Sequence, residues 1–169
     1  MDRLLRLPVS VVVEKRAARS PWVDHVWVPV AVLPAATVAA PWTVLRREGN
    51  VTAYIAGQTE LELAAADTPG YKANLDSGRP VLWVVLRQSL DEPGVELHRV
   101  IADASEAESL ISVGSSDIIE PVPMPGPIRE TLEAFVSAHH RERVFVKRKR
   151  DRADPEALAA RPRVVDEDG

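Results

Sequence analysis

The segment TELELAAADTPGYKANLDSGRPVLWVVLR (residues 59–87) decides the fold class of this chain. At its start, Leu61 and Leu63 alternate with two glutamates, a pattern that is typical of a half-buried antiparallel strand. A short helix is predicted over residues 67–78, with a capping residue and a proline at its start and a glycine at its end. The apolar run Val81–Arg87 then predicts a fully buried strand.

Further strands are predicted on both sides of this segment. They are Arg6–Glu14, Trp22–Leu33, Trp42–Arg47, Val51–Ala56 and Val95–Ala102. Pro29 has no N–H to give to a strand ladder, so it predicts a bulge or a locally unpaired position. Gly49 and Asn50 tolerate a positive φ and predict a hairpin turn. The alternating prolines of Ser115–Pro125 are typical of an edge strand or of polyproline II.

Two further helices complete the predicted elements. Ser105 and Glu108 fit a capping box, and the helix that they begin is expected to stop at Gly114. Pro127 opens another helix, which reaches about His139 and carries one apolar stripe. The sequence therefore predicts an α+β fold with a mainly antiparallel sheet of about seven or eight strands. Two or three helices are expected to pack on that sheet.

Charge divides the chain into three parts. Its 169 residues include 21 Lys and Arg against 25 Asp and Glu, a net charge of -4. Residues 141–150 hold six basic and one acidic residue, whereas residues 151–169 hold three basic and six acidic residues. We expect a single globular domain over residues 1–150 and a disordered acidic tail over 151–169. A dedicated nucleic-acid binder is usually basic, which disfavours that class.

The residue content excludes several kinds of chemistry. Without cysteine, the chain can form no disulfide framework, thiol nucleophile, iron–sulfur site or cysteine-based zinc site. Its glycines form no GxGxxG or GxxxxGK loop, and no GxSxG elbow surrounds a serine. Because adjacent helical residues point about 100° apart, His139 and His140 are poorly placed to share a metal ion. We therefore predict no catalytic residue, metal site or cofactor. No export signal or membrane span is recognisable, which favours a cytoplasmic protein.

The candidate partner-binding residues form three groups. They are the tryptophans Trp22, Trp27 and Trp42, the prolines Pro121, Pro123 and Pro125, and the basic residues Lys147, Arg148, Lys149 and Arg150. Tryptophan often anchors protein interfaces, although a tryptophan at a strand start also packs in a core or at a sheet edge. A proline-rich edge can receive or present an extended peptide. The basic residues suit RNA, an acidic partner or anionic lipid, or else a solvated terminus.

Several segments together resemble a known family. They are SPWVDHVWVPVAVLP (20–34), LELAAADTPGYKANL (61–75), PVLWVVLR (80–87), EPVPMPGPI (120–128) and FVSAHHRERVFVKRKRDR (135–152). Over about residues 8–152, the chain resembles domain-of-unknown-function family 3305, a bacterial family found mainly in proteobacteria. The most specific parts of the resemblance are residues 121–125 and 138–150.

The resemblance implies a role beside molybdenum or tungsten enzymes, because family members are encoded near formate dehydrogenases, iron–sulfur proteins and their maturation chaperones. We expect a non-enzymatic accessory protein that acts by protein–protein contact in the assembly or regulation of such an enzyme. One alternative is a cofactor- or nucleotide-binding enzyme of molybdopterin metabolism, with Arg46, Arg47, Arg87 or Arg99 holding an anionic ligand. A second alternative is nucleic-acid binding through residues 147–150.

Overall fold

A computed structural model describes residues 2–141 of the chain. The strands are β1 (Leu4–Ala17), β2 (His25–Leu33), β3 (Thr43–Glu48), β4 (Val51–Ala64), β5 (Val81–Gln88), β6 (Val95–Ile101) and β7 (Ile118–Pro123). The helices are α1 (Thr68–Asp76), α2 (Ala104–Val113) and α3 (Gly126–His139), and a 3-10 turn at Ala65–Asp67 precedes α1. The predicted tail 151–169 lies outside the described residues.

The strands form two antiparallel sheets, in the orders β2-β1-β4-β3 and β6-β5-β7. The predicted α+β class is confirmed, with seven strands and three helices among the described residues. The predicted hairpin is also confirmed, since β3 and β4 pair across Gly49 and Asn50. The predicted burial of β5 is confirmed, and β5 lies at the centre of its sheet. Of the two alternatives for the proline-rich segment, the structure has the edge strand, β7.

The two sheets face each other as the halves of a barrel. Strand β4 lies beside β6, and β2 lies beside β7, which closes the ring of strands on both sides. Within residues 2–141, no hydrogen-bonded strand pair joins the two sheets. Prolines at the β2–β7 side help to explain this, because Pro29, Pro121 and Pro123 have no N–H to donate across it. Both sides of the barrel are therefore seams that side-chain packing closes.

Bulges change which residues face the barrel interior. Val12 pairs with Ala31 and Val13 with Pro29, so the bulge predicted at Pro29 is confirmed at its neighbour Val30. In β4 the extra residue is Ala56, because Val11 pairs with Gly57 and Val12 with Ile55.

The second bulge corrects the prediction for residues 51–65. The sequence indicated two strands there, whereas the structure has the single strand β4. Tyr54 and the bulged residue Ala56 contact the main core, and Leu61 and Leu63 contact it beyond the bulge. The bulge therefore moves the side chains that face the main core from even to odd positions, whereas Ala53 and Ile55 are buried in a separate cluster. This change of parity led the sequence pattern to predict two strands where there is one.

The helices cover one end of the barrel and one outer face. Tyr71 of α1 and Phe135 of α3 join the main core, and their rings lie 6.1 Å apart. Helix α2 packs Ala107 against the outer face of the β6-β5-β7 sheet. The predicted capping box is wrong, because the cap of α2 is Asp103, whose side chain accepts the Ser105 N–H at 2.9 Å.

Asn74 fastens α1 to the second sheet. Its side chain is buried and donates to the carbonyls of Val81, at 2.7 Å, and Ala102, at 3.0 Å. The Val81 N–H donates back to Asn74 Oδ1 at 3.0 Å. One amide side chain therefore supplies three hydrogen bonds where the chain passes from the first sheet to the second.

Candidate functional site

The end of the barrel opposite α1 and α3 is filled by four rings, His25, Trp27, Trp42 and Tyr54, which we call the aromatic plug. The Trp27 ring centre lies 5.1 Å from that of Trp42, 5.9 Å from that of Tyr54 and 5.4 Å from that of His25. His25 and Trp27 are two residues apart on β2, so their side chains leave the strand on the same face. The plug separates the packed core from the loops at this end.

Trp42 enters the plug with an unusual backbone. Its φ is 64°, in the left-handed region that a bulky residue rarely adopts, and this costs about 1–3 kcal/mol. The Trp42 N–H donates to the Ile55 carbonyl at 2.6 Å, which holds the residue against β4. Contacts with Trp27 and Tyr54 on the same side chain offset the strain.

A mostly apolar groove of about 630 Å³ opens beside the plug, at the β2–β7 seam, and we call it the seam groove. The apolar side chains that line it come from both sheets and from the turn before β2: Val23, Val26, Trp27, Val28, Leu86, Val95 and Ile118. Polar side chains, including His25, Gln88 and Glu120, also line it. Such a mixture suits an apolar group whose orientation is fixed by a few polar contacts.

Exposed apolar side chains surround this end of the barrel. Trp22 is 91% exposed in the turn between β1 and β2, next to Val23 of the seam groove. Val38, between β2 and β3, and Leu90, between β5 and β6, are fully exposed. Trp22 and Leu90 thus stand next to Val23 and Ser89 of the seam groove, whereas Val38 lines a different pocket. Exposed apolar groups beside a groove mark interaction surfaces.

The three predicted tryptophans have different surroundings. Trp22 is exposed, as a partner anchor must be, whereas Trp27 is only 9% exposed and belongs to the core. Trp42 is half-buried in the aromatic plug. Trp27 and Trp42 therefore pack against the core and are not free partner anchors, although Trp27 also lines the seam groove.

The other predicted partner residues are spread over the chain. Pro121 and Pro123 are exposed on β7, and Pro125 is half-buried at the start of α3. Because Pro121 and Pro123 lack an N–H, they weaken this edge as a template for an added strand. The basic residues Lys147, Arg148, Lys149 and Arg150 lie outside the described residues. Sequence reasoning missed Val38 and Leu90, whose only signal was a large apolar residue inside a polar or proline-rich loop.

A second feature, the acidic cleft, lies on the opposite seam. This cleft of about 600 Å³ runs between β4 and β6 towards α1 and α2. Its carboxylates are Glu60, Glu62, Asp67, Asp103 and Glu106. Arg99 crosses the cleft to form an ion pair with Glu106 at 2.5 Å, and Arg6 contacts Glu62 at 3.2 Å.

Tyr71 lies at the inner end of the acidic cleft and is 2% exposed. Its hydroxyl oxygen accepts the Ala64 N–H at 2.9 Å. Burial, assisted by the nearby charges of Asp67, Asp103 and Glu106, raises the pKa of Tyr71 to about 12, despite that hydrogen bond. Partial burial and the charge of Asp103 likewise raise the pKa of Asp67. The Tyr71 hydroxyl therefore keeps its proton at neutral pH.

The arginines considered for an anionic ligand do not converge on one site. Arg46 pairs with Glu14 at 3.0 Å, and Arg87 pairs with Asp117 at 3.3 Å. Arg46 and Arg47 belong to the first sheet, whereas Arg87 and Arg99 belong to the second. Across residues 2–141, no cluster of three metal-ligating side chains is found either.

Comparison with known proteins identifies the family. The family model described as "Protein of unknown function (DUF3305)" matches residues 8–149. The chain belongs to the DUF3305 family. This confirms the predicted resemblance over nearly the whole described region of this DUF3305 protein. Its comparison with curated proteins and with solved structures gave no match. In the described part of the chain, no helix is long and apolar enough to cross a membrane.

Proposed function

We propose that this DUF3305 protein is a non-enzymatic accessory protein of the cytoplasm that acts by binding another protein at the seam groove, beside the aromatic plug. The observation that carries the proposal is the continuity of the exposed Trp22 with the seam groove, through Val23. When a partner covers them, an exposed indole and the apolar groove beside it bury a large area, and binding energy in protein interfaces concentrates at such aromatic residues.

The partner is expected to offer an apolar segment with a protruding side chain that fills the seam groove. Trp22 and Leu90 would cover the flanks of that segment, because they are exposed and directly adjoin the lining residues Val23 and Ser89. Added-strand binding is disfavoured, since Pro29, Pro121 and Pro123 remove N–H donors along this seam. Recognition therefore relies on side chains.

The family resemblance supplies the first partner to test. We propose a molybdenum or tungsten enzyme such as formate dehydrogenase, or a factor that matures it. The chain has no cysteine, so it has no thiolate with which to hold an iron–sulfur cluster itself. This fits a protein that binds the enzyme while other factors handle its metal centres.

The experiment measures the affinity of the full chain for purified formate dehydrogenase of the same host and for its maturation factors. Trp22→Ser and Leu90→Ser should each weaken binding, by up to about thirtyfold in Kd for a central anchor. Ile111→Ser is the matched control, because Ile111 is an exposed apolar residue on α2, away from the groove. Equal affinity of all three variants would contradict the docking surface. Unchanged formate dehydrogenase activity after gene deletion would contradict the accessory role.

A further inference from the structure

A row of four side chains crosses the first sheet beside the aromatic plug. Lys15 of β1 pairs with Trp27 of β2 on one side and with Thr52 of β4 on the other. Thr52 pairs in turn with Arg47 of β3. Residues that lie directly opposite each other in antiparallel strands point to the same face of the sheet. Lys15 and Arg47 therefore flank Thr52 on the inner face, which also carries the plug.

The two cations of this row have no neutralising partner. Within residues 2–141, neither Lys15 nor Arg47 forms an ion pair. On the outer face of the same strands, Arg16 and Arg46 share the carboxylate of Glu14, at 2.8 Å and 3.0 Å. The fold thus pairs the arginines of the outer face and leaves two positive charges unpaired on the inner face.

Lys15 and Arg47 line a pocket of about 520 Å³, which we call the cationic pocket. It adjoins the seam groove, because His25 lines both, and because Lys15 Nζ lies 5.6 Å from the ring centre of Trp27 in the groove. Thr52 and Tyr54 also line the pocket, and the hydroxyl group of neither forms a hydrogen bond among the described residues. The cationic pocket therefore offers charges and hydroxyl donors to a group that extends from the groove.

Charge favours an anionic occupant of the cationic pocket. Its described lining holds three cations, Lys15, Arg16 and Arg47, against the single carboxylate of Asp24. Asp24 is exposed and forms no ion pair within residues 2–141. Glu120, by contrast, lines the seam groove from β7 of the second sheet. An anionic group of a bound segment is therefore directed towards the first sheet, where the cations lie.

We propose that the partner segment in the seam groove carries an acidic residue whose carboxylate binds Lys15 and Arg47, an inference that rests on the proposed function. Trp27 and Arg47 are three strand spacings apart, or about 14 Å. About four residues of extended chain span that distance. The recognised motif is then a large apolar residue with Asp or Glu within about four positions. Charge-assisted hydrogen bonds from the two cations fix the orientation of the segment.

A displayed library of random peptides, each of about twelve residues, tests this inference by selection on the immobilised full chain. Selected peptides should combine a large apolar residue with Asp or Glu within about four positions, several-fold more often than the unselected library. Lys15→Gln/Arg47→Gln should weaken the best such peptide by about tenfold and remove most of the salt dependence of its binding. Selection of apolar peptides without acidic enrichment would overturn the inference and leave the groove as a docking site.

The matched control is Arg79→Gln/Arg129→Gln, which removes the same charge from exposed arginines before β5 and on α3. This variant should bind the peptide as the parent chain does, and equal losses in both double variants would overturn the inference. Competition by inorganic phosphate, beyond that of chloride at equal ionic strength, would assign the cations to phosphate groups and would also overturn it. Peptides that are insensitive to both Trp22→Ser and Lys15→Gln/Arg47→Gln, or a selection that yields no peptide, would contradict the proposed function as well.

Discussion

Gly70 allows α1 and α2 to approach closely, and replacing it with alanine has a calculable cost. A Cβ atom at this position would lie 1.7 Å from Asp103 Oδ1, whereas real Cβ contacts are essentially never below 3.0 Å. The Asp103 carboxylate would have to move by at least 1.3 Å. That movement breaks its hydrogen bond to the Ser105 N–H, which caps α2.

Two opposing effects set the change in the free energy of unfolding that Gly70→Ala causes. Losing the cap costs about 1 kcal/mol, within a range of about 0.5–2 kcal/mol. Alanine is favoured over glycine inside a helix by up to about 1 kcal/mol, which partly offsets the loss in α1. Gly70→Ala alone should therefore change the free energy of unfolding by less than about 1 kcal/mol, with destabilisation favoured by any remaining steric clash.

A double-mutant cycle separates the two effects. In an Asp103→Ala background the cap is already lost and nothing blocks the new Cβ, so Gly70→Ala should stabilise the protein by up to about 1 kcal/mol. The coupling energy between the two positions should be about 1–2 kcal/mol. Urea unfolding of the four proteins, followed by circular dichroism, measures it. Additive effects, within about 0.5 kcal/mol, would refute the reasoning.

Three further predictions address the core and the acidic cleft. Asn74→Ala should cost roughly 2–4 kcal/mol in urea unfolding, because it removes all three hydrogen bonds of a buried side chain; a loss below about 1 kcal/mol would contradict that role. Phe135→Ala should cost about 3–5 kcal/mol by the same measurement, since Phe135 is fully buried, whereas Glu130→Gln, on the exposed side of α3, should cost little. The raised pKa of Tyr71 gives a stabilisation that is complete below pH 10 and is lost as the pH rises towards about 12. Tyr71→Phe should lose less unfolding free energy than the parent chain over that interval, and equal losses would show that Tyr71 does not titrate there as described.

The sequence predicted the elements more reliably than their connections. Leu61 and Leu63 indicated a strand because their alternation is local. Its continuity with residues 51–56 was missed, because the bulge at Ala56 reverses the alternation within one strand. For α2, Ser105 and Glu108 fitted one capping motif, but Asp103 lies close to Gly70 and serves as the cap instead. The approach of Asp103 to Gly70 is a tertiary contact, which a capping motif in the sequence does not reveal.

The candidate sites depend still more on tertiary structure. The exposure of Trp22 was among the expectations, yet the same reasoning applied to Trp27 and Trp42, whose burial follows from the closing of the barrel around them. The acidic cleft brings Glu62 together with Glu106, which are 44 residues apart in the sequence. The sequence contains no spacing rule that links these positions, because the link is a seam between two sheets.

The pairing of strands within each sheet has a consequence for how the chain can be divided. Every hydrogen-bonded strand pair lies either before Ser77 or after Pro80 among the described residues. A cut in this connection would thus yield two fragments, each with a whole sheet and all of its ladders. The fragments would bind each other through apolar side chains and through Asn74, whose three hydrogen bonds would then join one fragment to the other. The described part of the chain can thus be divided at residues 77–80 without breaking a hydrogen-bonded strand pair.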